Sequence, residues 1–500
     1  MQIKVTNQSI SEILVDALII SVFEDESVLT EENKSIDIAV GGLISDLLGR
    51  DKDVGKFCAV NVIYASIANS AKKVFLLGMG KRSELNTDRL RKVAGTAIRT
   101  AARQKVKTVA TLLLIDDYPG IDYLAVSQAW AEGALLGTYR FQYYKSAKQD
   151  EVNLEMLYII EPANENLAAI EFGAAAGRTI AEAVNLARDL VNHPANYLTP
   201  VKMAWYASEI AEKYNLELNV FAKYQIENMK MDALLAVSKG SNEPPRFIVL
   251  QHHGCPEDER LFAFVGKGIT FDSGGISLKP SEGMQEMKDD MAGAATVLAA
   301  IQAIAALGLP VNIIAVIPCT ENMPSGHACR PGDVINSLAG KTIEVISTDA
   351  EGRLILADAI AYAKNAGATH IVDLATLTGA CVVALGDVTS GIMGNDKEWK
   401  QQIIAAAGEV GEKVWELPLF EEYKEQLKSS IADLKNSGGR KAGAITAGLF
   451  LAEFAGDTPW VHVDIAGTVS SDKDSGYNVK GATGVGVRTL IQLAKKMVRV

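Results

Sequence analysis

Two short stretches of this chain gather acids and bases where a folded core has no use for them. VGKGITFDSGGISLKPSEGMQEMKDDMAG, residues 265 to 293, holds Lys267, Asp272, Lys279 and Asp290, and STDAEGRL, residues 347 to 354, holds Asp349, Glu351 and Arg353. Several carboxylates cannot share one site while ionised unless positive charge offsets their repulsion. Two divalent cations would do so, and the chemistry that follows is hydrolysis at a two-metal centre. Oxygen ligands suit hard or borderline metals, so Zn, Mn, Mg and Co are all admissible by residue type. Each residue alone has a plainer reading. An Asp after a strand is usually a turn former or helix cap, and Lys267 by itself would be a surface lysine. The convergence of two glycine-flanked motifs, with Lys279 and Arg353 beside the acids, shifts the balance. The histidines supply no rival ligand set: His252 and His253 are adjacent at a strand end, and His193, His327, His370 and His462 are isolated.

The elements that must position these residues alternate between short apolar runs and amphipathic ones. In the first part of the chain the runs are ALIISVF (17 to 23), KVFLLGMG (73 to 80), TVATLLLID (108 to 116) and MLYIIEP (156 to 162). Separated by helix-like segments, they predict βαβ units around a mostly parallel sheet. Residues 165 to 190 carry apolar positions at helical spacing, and Pro194 and Pro200 in VNHPANYLTP end that helix. Beyond Leu216 the strand candidates are LELNVFA, RFIVLQHH, LFAFVGKGI, VNIIAVIPC, KTIEVISTD, HIVDLATL and PWVHVDIAG, with helices GAATVLAAIQAIAALG and GRLILADAIAYAKNAG among them. The reading is α/β throughout: a smaller N-terminal domain over 1–160, a linker helix over 161–192, and a larger catalytic domain over 193–500 with a mixed, mostly parallel central sheet.

Open α/β sheets bind ligands beyond the carboxyl ends of their strands. Asp272 is placed there by LFAFVGKGI, and Asp349 and Glu351 by KTIEVIS, just before a helix opens at Gly352. In extended backbone residues i and i+2 point to the same side, so Asp349 and Glu351 are expected to present two carboxylates to one ion. Asp290 is expected just before a helix that begins near Gly293.

Bulk properties set limits. At 500 residues, two domains are the first expectation. A formal charge of −12 argues against nucleic acid or an anionic membrane as the main partner, since either would call for a basic face. The cysteines, Cys58, Cys255, Cys319, Cys329 and Cys381, are odd in number and lack CxxC spacing, which points away from a disulfide framework and towards a reducing compartment. The N-terminus does not read as a secretory signal, and no run reaches the roughly 18 consecutive apolar residues of a membrane helix. A cytoplasmic location is expected.

At VGKGITFDSGGISLKPS and TDAEGRLILADA the sequence resembles the leucine aminopeptidase (leucyl or cytosol aminopeptidase) family of dinuclear metallopeptidases. NxPxNxLTP (192 to 200), ENMPSG and RPGD (321 to 333), DLATLTGA (373 to 380) and VDIAG (463 to 467) agree with it, so the resemblance covers roughly residues 165 to 500. One departure is Ser347, where the family usually has Asn. Carried over by position, the resemblance implies Lys267, Asp272, Asp290, Asp349 and Glu351 as ligands of two divalent ions, Mn or Zn first and Mg or Co after them. It implies Lys279 and Arg353 as catalytic cations, with bicarbonate held by Arg353. It also implies that Met287, Thr376, Gly379, Ala466 and Val469 line the first side-chain pocket, with Leu377 touching substrate through its backbone. The activity implied is removal of N-terminal residues, Leu or Met preferred, by a hydroxide bridging the two metals. A cysteinylglycine dipeptidase is the neighbouring reading, and assembly as a homohexamer is implied as well.

Two other classes fit less well. Gly266, Gly268, Gly274 and Gly275 lack GxGxxG spacing, and GMGKRS (78 to 83) lacks GxxxxGK[ST], so neither makes a phosphate cradle. VDALIISVF followed by VGGLISDLL (40 to 48) is reminiscent of macro domains. SVFEDES stands where an asparagine-rich loop is expected of ADP-ribose binders, so a scaffold role in assembly is favoured for this macro-like N-terminal domain.

Overall fold

A computed structural model of the chain describes residues 1–26, 29–65, 67, 70–113, 118, 120–146 and 154–498. It divides into two compact units, residues 1–182 with 472–480, and residues 183–471 with 481–500.

The first unit is built on six strands: β1 (Gln2–Thr6), β2 (Ala17–Val22), β3 (Val60–Ile63), β4 (Val74–Gly78), β5 (Thr108–Leu112) and β6 (Met156–Ile160). Their order is β1-β6-β5-β2-β4-β3, with every pairing parallel except β3 with β4. Alternate residues of β2 serve opposite cores. Ala17 and Ile19 join one with the helices Thr87–Arg103 and Tyr123–Gly137, while Leu18, Ile20 and Val22 join the other with Ile36 and Ile44. A strand buried on both faces reads as a continuous apolar run, which is why ALIISVF is legible. Leu114, Ile115 and Asp116 of TVATLLLID, and Ser27 of SVFEDES, lie outside the described residues.

A helix runs from Leu167 to Asn192. After it, Thr199 caps the helix Pro200–Tyr214 by accepting from the Lys202 N–H, with Pro200 at the first turn, where a missing N–H costs nothing.

The second unit contains β7 (Glu217–Phe221), β8 (Arg246–His253), β9 (Phe262–Gly266), β10 (Gly268–Asp272), β11 (Asn312–Asn322), β12 (Val334–Asn336), β13 (Thr342–Glu344), β14 (His370–Ala375), β15 (Ser390–Gly394), β16 (Val414–Glu416), β17 (Leu434–Lys435) and β18 (Trp460–Asp464). The main sheet runs β16-β15-β18-β14-β9-β11-β8-β7, with β10 on β11. Its centre, β18-β14-β9-β11, is parallel, and the outer pairs β7/β8, β8/β11 and β15/β18 are antiparallel. One face packs Val249, Val265, Val316 and Ile371 against the helices Glu351–Asn365 and Gly443–Ala455. The helix Ala292–Ala306 lies against β9, β11 and β14. With the turn before it, this helix is long and apolar enough to cross a membrane, yet that window is 78% buried inside the unit, the condition of a core helix.

One strand expectation is corrected. KTIEVISTD is extended only over Thr342–Glu344, and β13 belongs to a separate three-stranded sheet, β12-β13-β17, not to the central one. Beyond Glu344 the backbone finds its partners off any ladder: Val345 donates to Asp333 and accepts from Gly332. Asp349 and Glu351 therefore do not leave the end of a central strand.

Candidate metal centre

Lys267 sits in the break between β9 and β10. Its N–H donates to the Leu374 carbonyl of β14, and its carbonyl accepts from Ala294 at the start of the long apolar helix. Two central elements, β14 and that helix, thus fix its backbone, and the side chain, 2% exposed, reaches the first turn of the helix Glu351–Asn365. Gly352 makes that approach possible, because a Cβ there would stand 2.4 Å from Lys267 Cε. Lys267 Nζ lies 2.6 Å from Asp290 Oδ1, 3.0 Å from Glu351 Oε1 and 2.9 Å from the Thr376 carbonyl.

Asp272 ends β10, and Gly274 and Gly275 follow with φ of +86° and +66°, values that favour glycine. A Cβ on Gly275 would come within 2.7 Å of Asn322 Oδ1, and one on Gly274 within 2.9 Å of Asp349 Oδ1. The turn returns Lys279 to the group, where Nζ lies 2.8 Å from Asp272 Oδ2 and pairs with Asp349 Oδ1. Asp290 closes the short turn of helix Met284–Asp289. Carboxylate oxygens of Asp272, Asp290 and Glu351 all lie within 4.8 Å of one another, each from a buried residue. Asp349 stands beside this triad, joined to it by Lys279, with a side chain 39% exposed.

The extended i, i+2 geometry expected for Asp349 and Glu351 is not what brings them near. Residues 347–350 form a turn, Ala350 caps the helix, and Glu351 is its first residue. A helix start turns Glu351 inwards to Lys267, while Asp349 stays on the turn against Lys279.

Electrostatically the cluster is unbalanced. Burial pushes the Asp290 carboxyl well above the usual range against the pull of Lys267, and burial with the nearby Asp272 charge raises Glu351. Burial also raises Asp349, against the pull of Lys279. Burial would depress both lysines, but the carboxylates outweigh it: Asp290, Glu351 and Asp272 hold Lys267 up, and Asp272 and Glu351 hold Lys279 up. Asp290 Oδ2 is buried with no hydrogen-bond partner among the described residues. A buried, orphaned carboxylate oxygen beside two further carboxylates is a cation-binding arrangement, so the residues present fit divalent metals.

The family model described as the cytosol aminopeptidase family, catalytic domain, matches residues 185–491, and that family's N-terminal domain matches residues 19–148. The chain belongs to the cytosol aminopeptidase family. It is accordingly a metal-dependent exopeptidase of the leucine aminopeptidase kind, with a centre for divalent cations. A probable cytosol aminopeptidase of Alkaliphilus metalliredigens is 47% identical over 99% of this chain and 100% of its own, and one of Geobacter sulfurreducens is 44% identical over 97% of each. A tomato leucine aminopeptidase mutant superposes with a TM-score of 0.87 at 33% identity, covering 99% of this chain and 96% of its own. The bottromycin maturation enzyme BotP in complex with Mn superposes with a TM-score of 0.84 at 34% identity, over 97% of this chain and all of its own.

Of the residues that resemblance to this family assigns to the substrate pocket, Thr376 is bonded to the cluster, and Leu377 and Ala466 are bonded to Asp464. Thr376 donates its hydroxyl to Asp290 Oδ1 at 2.7 Å, and its carbonyl accepts from Lys267, so it is a partner of the acids. Leu377 and Ala466 donate their N–H groups to Asp464 Oδ1, at 3.1 and 3.2 Å. Gly379 opens the helix Gly379–Leu385, with open space where a Cβ would stand. Met287 is half-buried on the turn leading to Asp290, and Val469 is 6% exposed, its N–H bonded to Ile465. Arg353 is buried, donates through Nη1 to the Asn436 carbonyl, and keeps Nε without a partner among the described residues.

Sequence reasoning missed two members of the site. Asn322, the last residue of β11, donates through Nδ2 to Asp272 Oδ1 at 2.8 Å and to the Thr348 carbonyl at 3.0 Å, tying the two motifs together. Asp464, fully buried, accepts from Leu377, Ala466 and the Thr378 hydroxyl, which joins the loop after β14 to the loop after β18. Both lie inside motifs that carry the resemblance, ENMPSG and VDIAG, the only signal that could have found them.

Proposed function

We propose that the chain releases N-terminal residues, Leu or Met preferred, from peptides at a centre where Lys267, Asp272, Asp290, Asp349 and Glu351 hold two divalent cations, Mn or Zn in the first place. The observation that carries this reading is the buried triad Asp272, Asp290 and Glu351 with an unpartnered Asp290 oxygen. Divalent cations held by these residues would supply Lewis acidity to a water and to the scissile carbonyl.

The remaining roles belong to the chain's own groups. Lys267 must be neutral to donate its lone pair, so cation binding and loss of its proton are linked. Lys279, held between Asp272 and Asp349, would stabilise the oxyanion that develops on the scissile carbonyl oxygen. With four acids engaged by cations and Asp464 engaged by the N–H groups of Leu377 and Ala466, proton transfer calls for a further carrier. Arg353 would hold a carrier such as bicarbonate; burial lowers its pKa only to about 10, so it stays charged near neutrality, and its Nε lacks a partner among the described residues, which supports the reading. Met287, Thr376, Gly379, Ala466 and Val469 make an apolar pocket for the first side chain, and the Leu377 backbone orients the substrate.

We assign the chain to the cytoplasm as a homohexamer, with the macro-like domain over 1–160 as a scaffold, the linker helix over 161–192 and the catalytic domain over 193–500. The deciding experiment is hydrolysis of leucine amide by metal-stripped protein with Mn, Zn, Mg or Co added back singly. Activity with at least one ion is expected, and none with any would remove the reading. Light scattering that finds a mass other than six chains would remove the assembly.

A further inference from the structure

One fully buried amide, remote in sequence from both acidic motifs, holds the turn that opens the second one. Asn436 follows β17, which pairs in parallel with β13, and has no exposed surface. Its Oδ1 accepts from the N–H groups of Ile346 at 2.8 Å and Ser347 at 3.3 Å. Its Nδ2 donates to the carbonyls of Ser347 at 2.7 Å and Ala350 at 3.4 Å. Its own N–H donates to the Glu344 carbonyl at 3.0 Å, and its carbonyl accepts from Arg353 Nη1 at 2.9 Å. An amide side chain has two donor hydrogens and two acceptor lone pairs, so this one is saturated by a single turn of chain.

What it holds makes the arrangement more than a buried loop anchor. The turn 347–350 carries Asp349, Glu351 begins the helix behind it, and Arg353 lies half a turn further on. From the other side, Thr348 accepts from Ser277 and donates to the Gly274 carbonyl, on the loop that bears Lys279. The turn is clamped between these two sets of bonds. Asn436 is the only residue in them that grips both the turn and the Arg353 guanidinium. Ser347, which stands where the family usually has Asn, gives Asn436 only its backbone groups, and its hydroxyl accepts from Asp349.

We propose that Asn436 is a positioning residue of the catalytic centre, setting Asp349 and Glu351 for cation binding and Arg353 for turnover at once. The inference rests on the aminopeptidase reading of those residues. Partners that orient metal ligands typically matter 10- to 100-fold in affinity or activity.

The test compares Asn436→Ala, the nearly isosteric Asn436→Asp, and Asn312→Ala. Asn312 is an equivalent clamp elsewhere in the unit: it donates to the carbonyls of Cys255 and Asp258 and accepts from the Cys255 N–H. Mn(II) affinity is measured by calorimetry on metal-stripped full-length protein, and kcat and KM for leucine amide at saturating Mn(II). Both Asn436 variants are expected to bind Mn(II) at least tenfold more weakly. They are also expected to lose at least tenfold in kcat, with KM within about threefold. Asn312→Ala should lower the thermal midpoint and leave affinity and kcat within twofold. If Asn436→Ala does not fold, Asn436→Asp decides. Asn436 variants that behave like Asn312→Ala overturn the proposal. Should the unsubstituted protein hydrolyse nothing, the aminopeptidase reading fails by itself, and the Mn(II) affinities still decide the role of Asn436.

Discussion

Replacing Thr376 with Val separates a wall of the substrate pocket from a partner of the acids. The two side chains share shape and branching, so the change removes one hydroxyl and little else. That hydroxyl donates to Asp290 Oδ1 at 2.7 Å in a site 8% exposed, and the other Asp290 oxygen already lacks a partner. A buried hydrogen bond to a charged acceptor is worth about 1.5 to 3 kcal/mol. If the bond aims the carboxylate at a cation, its loss appears in Mn(II) affinity as a weakening of about tenfold to about 150-fold, at 1.4 kcal/mol per factor of ten. The carbonyl of residue 376 still receives Lys267, so the backbone should not move. Calorimetric titration of metal-stripped Thr376→Val with Mn(II), alongside urea unfolding without metal, measures both consequences. An affinity within twofold of the unsubstituted protein, with KM for leucine amide raised instead, would refute the reasoning and leave Thr376 as a pocket residue alone.

Lys279→Ala should lower kcat for leucine amide by about 10²- to 10³-fold, the usual cost of losing an oxyanion donor. Mn(II) affinity should rise, because Asp272 and Asp349 lose a competing cation; a weaker affinity with unchanged kcat would contradict both roles. Arg353→Ala should reduce turnover and abolish any response to added bicarbonate, and an unchanged rate would remove Arg353 from the chemistry. Asp358, fully buried, accepts from the N–H groups of Leu234 and Leu338, and burial raises its pKa to about 7. Because the folded pKa exceeds the unfolded value, its contribution to stability is complete below about pH 4 and is lost as pH rises through about 7, at most about 4 kcal/mol. Urea unfolding of metal-stripped protein at pH 4.5 and 8 should therefore show a smaller pH dependence for Asp358→Asn, and an identical dependence would show that Asp358 does not titrate in this window.

Legibility in the sequence followed aliphatic and β-branched composition more than burial: β7 was read although half-exposed, and β15 was missed although buried. The strands β2, β4, β8, β9, β11, β14 and β18 are covered on both faces and stand out as aliphatic runs, which made the α/β class and the mostly parallel central sheet readable. β1, with its half-exposed pattern, and β15, SGIMG, carry no such run and were missed. KTIEVIS failed for a different reason: it has the composition of a central strand, but its hydrogen bonds go to Asp333 and Asn436, which no local pattern reveals.

By itself the sequence determined the chemical inventory: which residue types occur, their glycine-flanked spacing, and the family likeness those letters carry. The tertiary structure alone decided how the inventory meets. Asp349 and Glu351 converge through a turn and a helix start, Lys267 reaches Glu351 because Gly352 lacks a Cβ, and Asn322, Asp464 and Asn436 arrive from distant parts of the chain to hold Asp272, the loop after β14 and the turn 347–350. The physical reason is that periodicity and spacing encode which face of a local element is apolar, whereas a buried polar group must find partners wherever the packed chain brings them, across separations that no local pattern records.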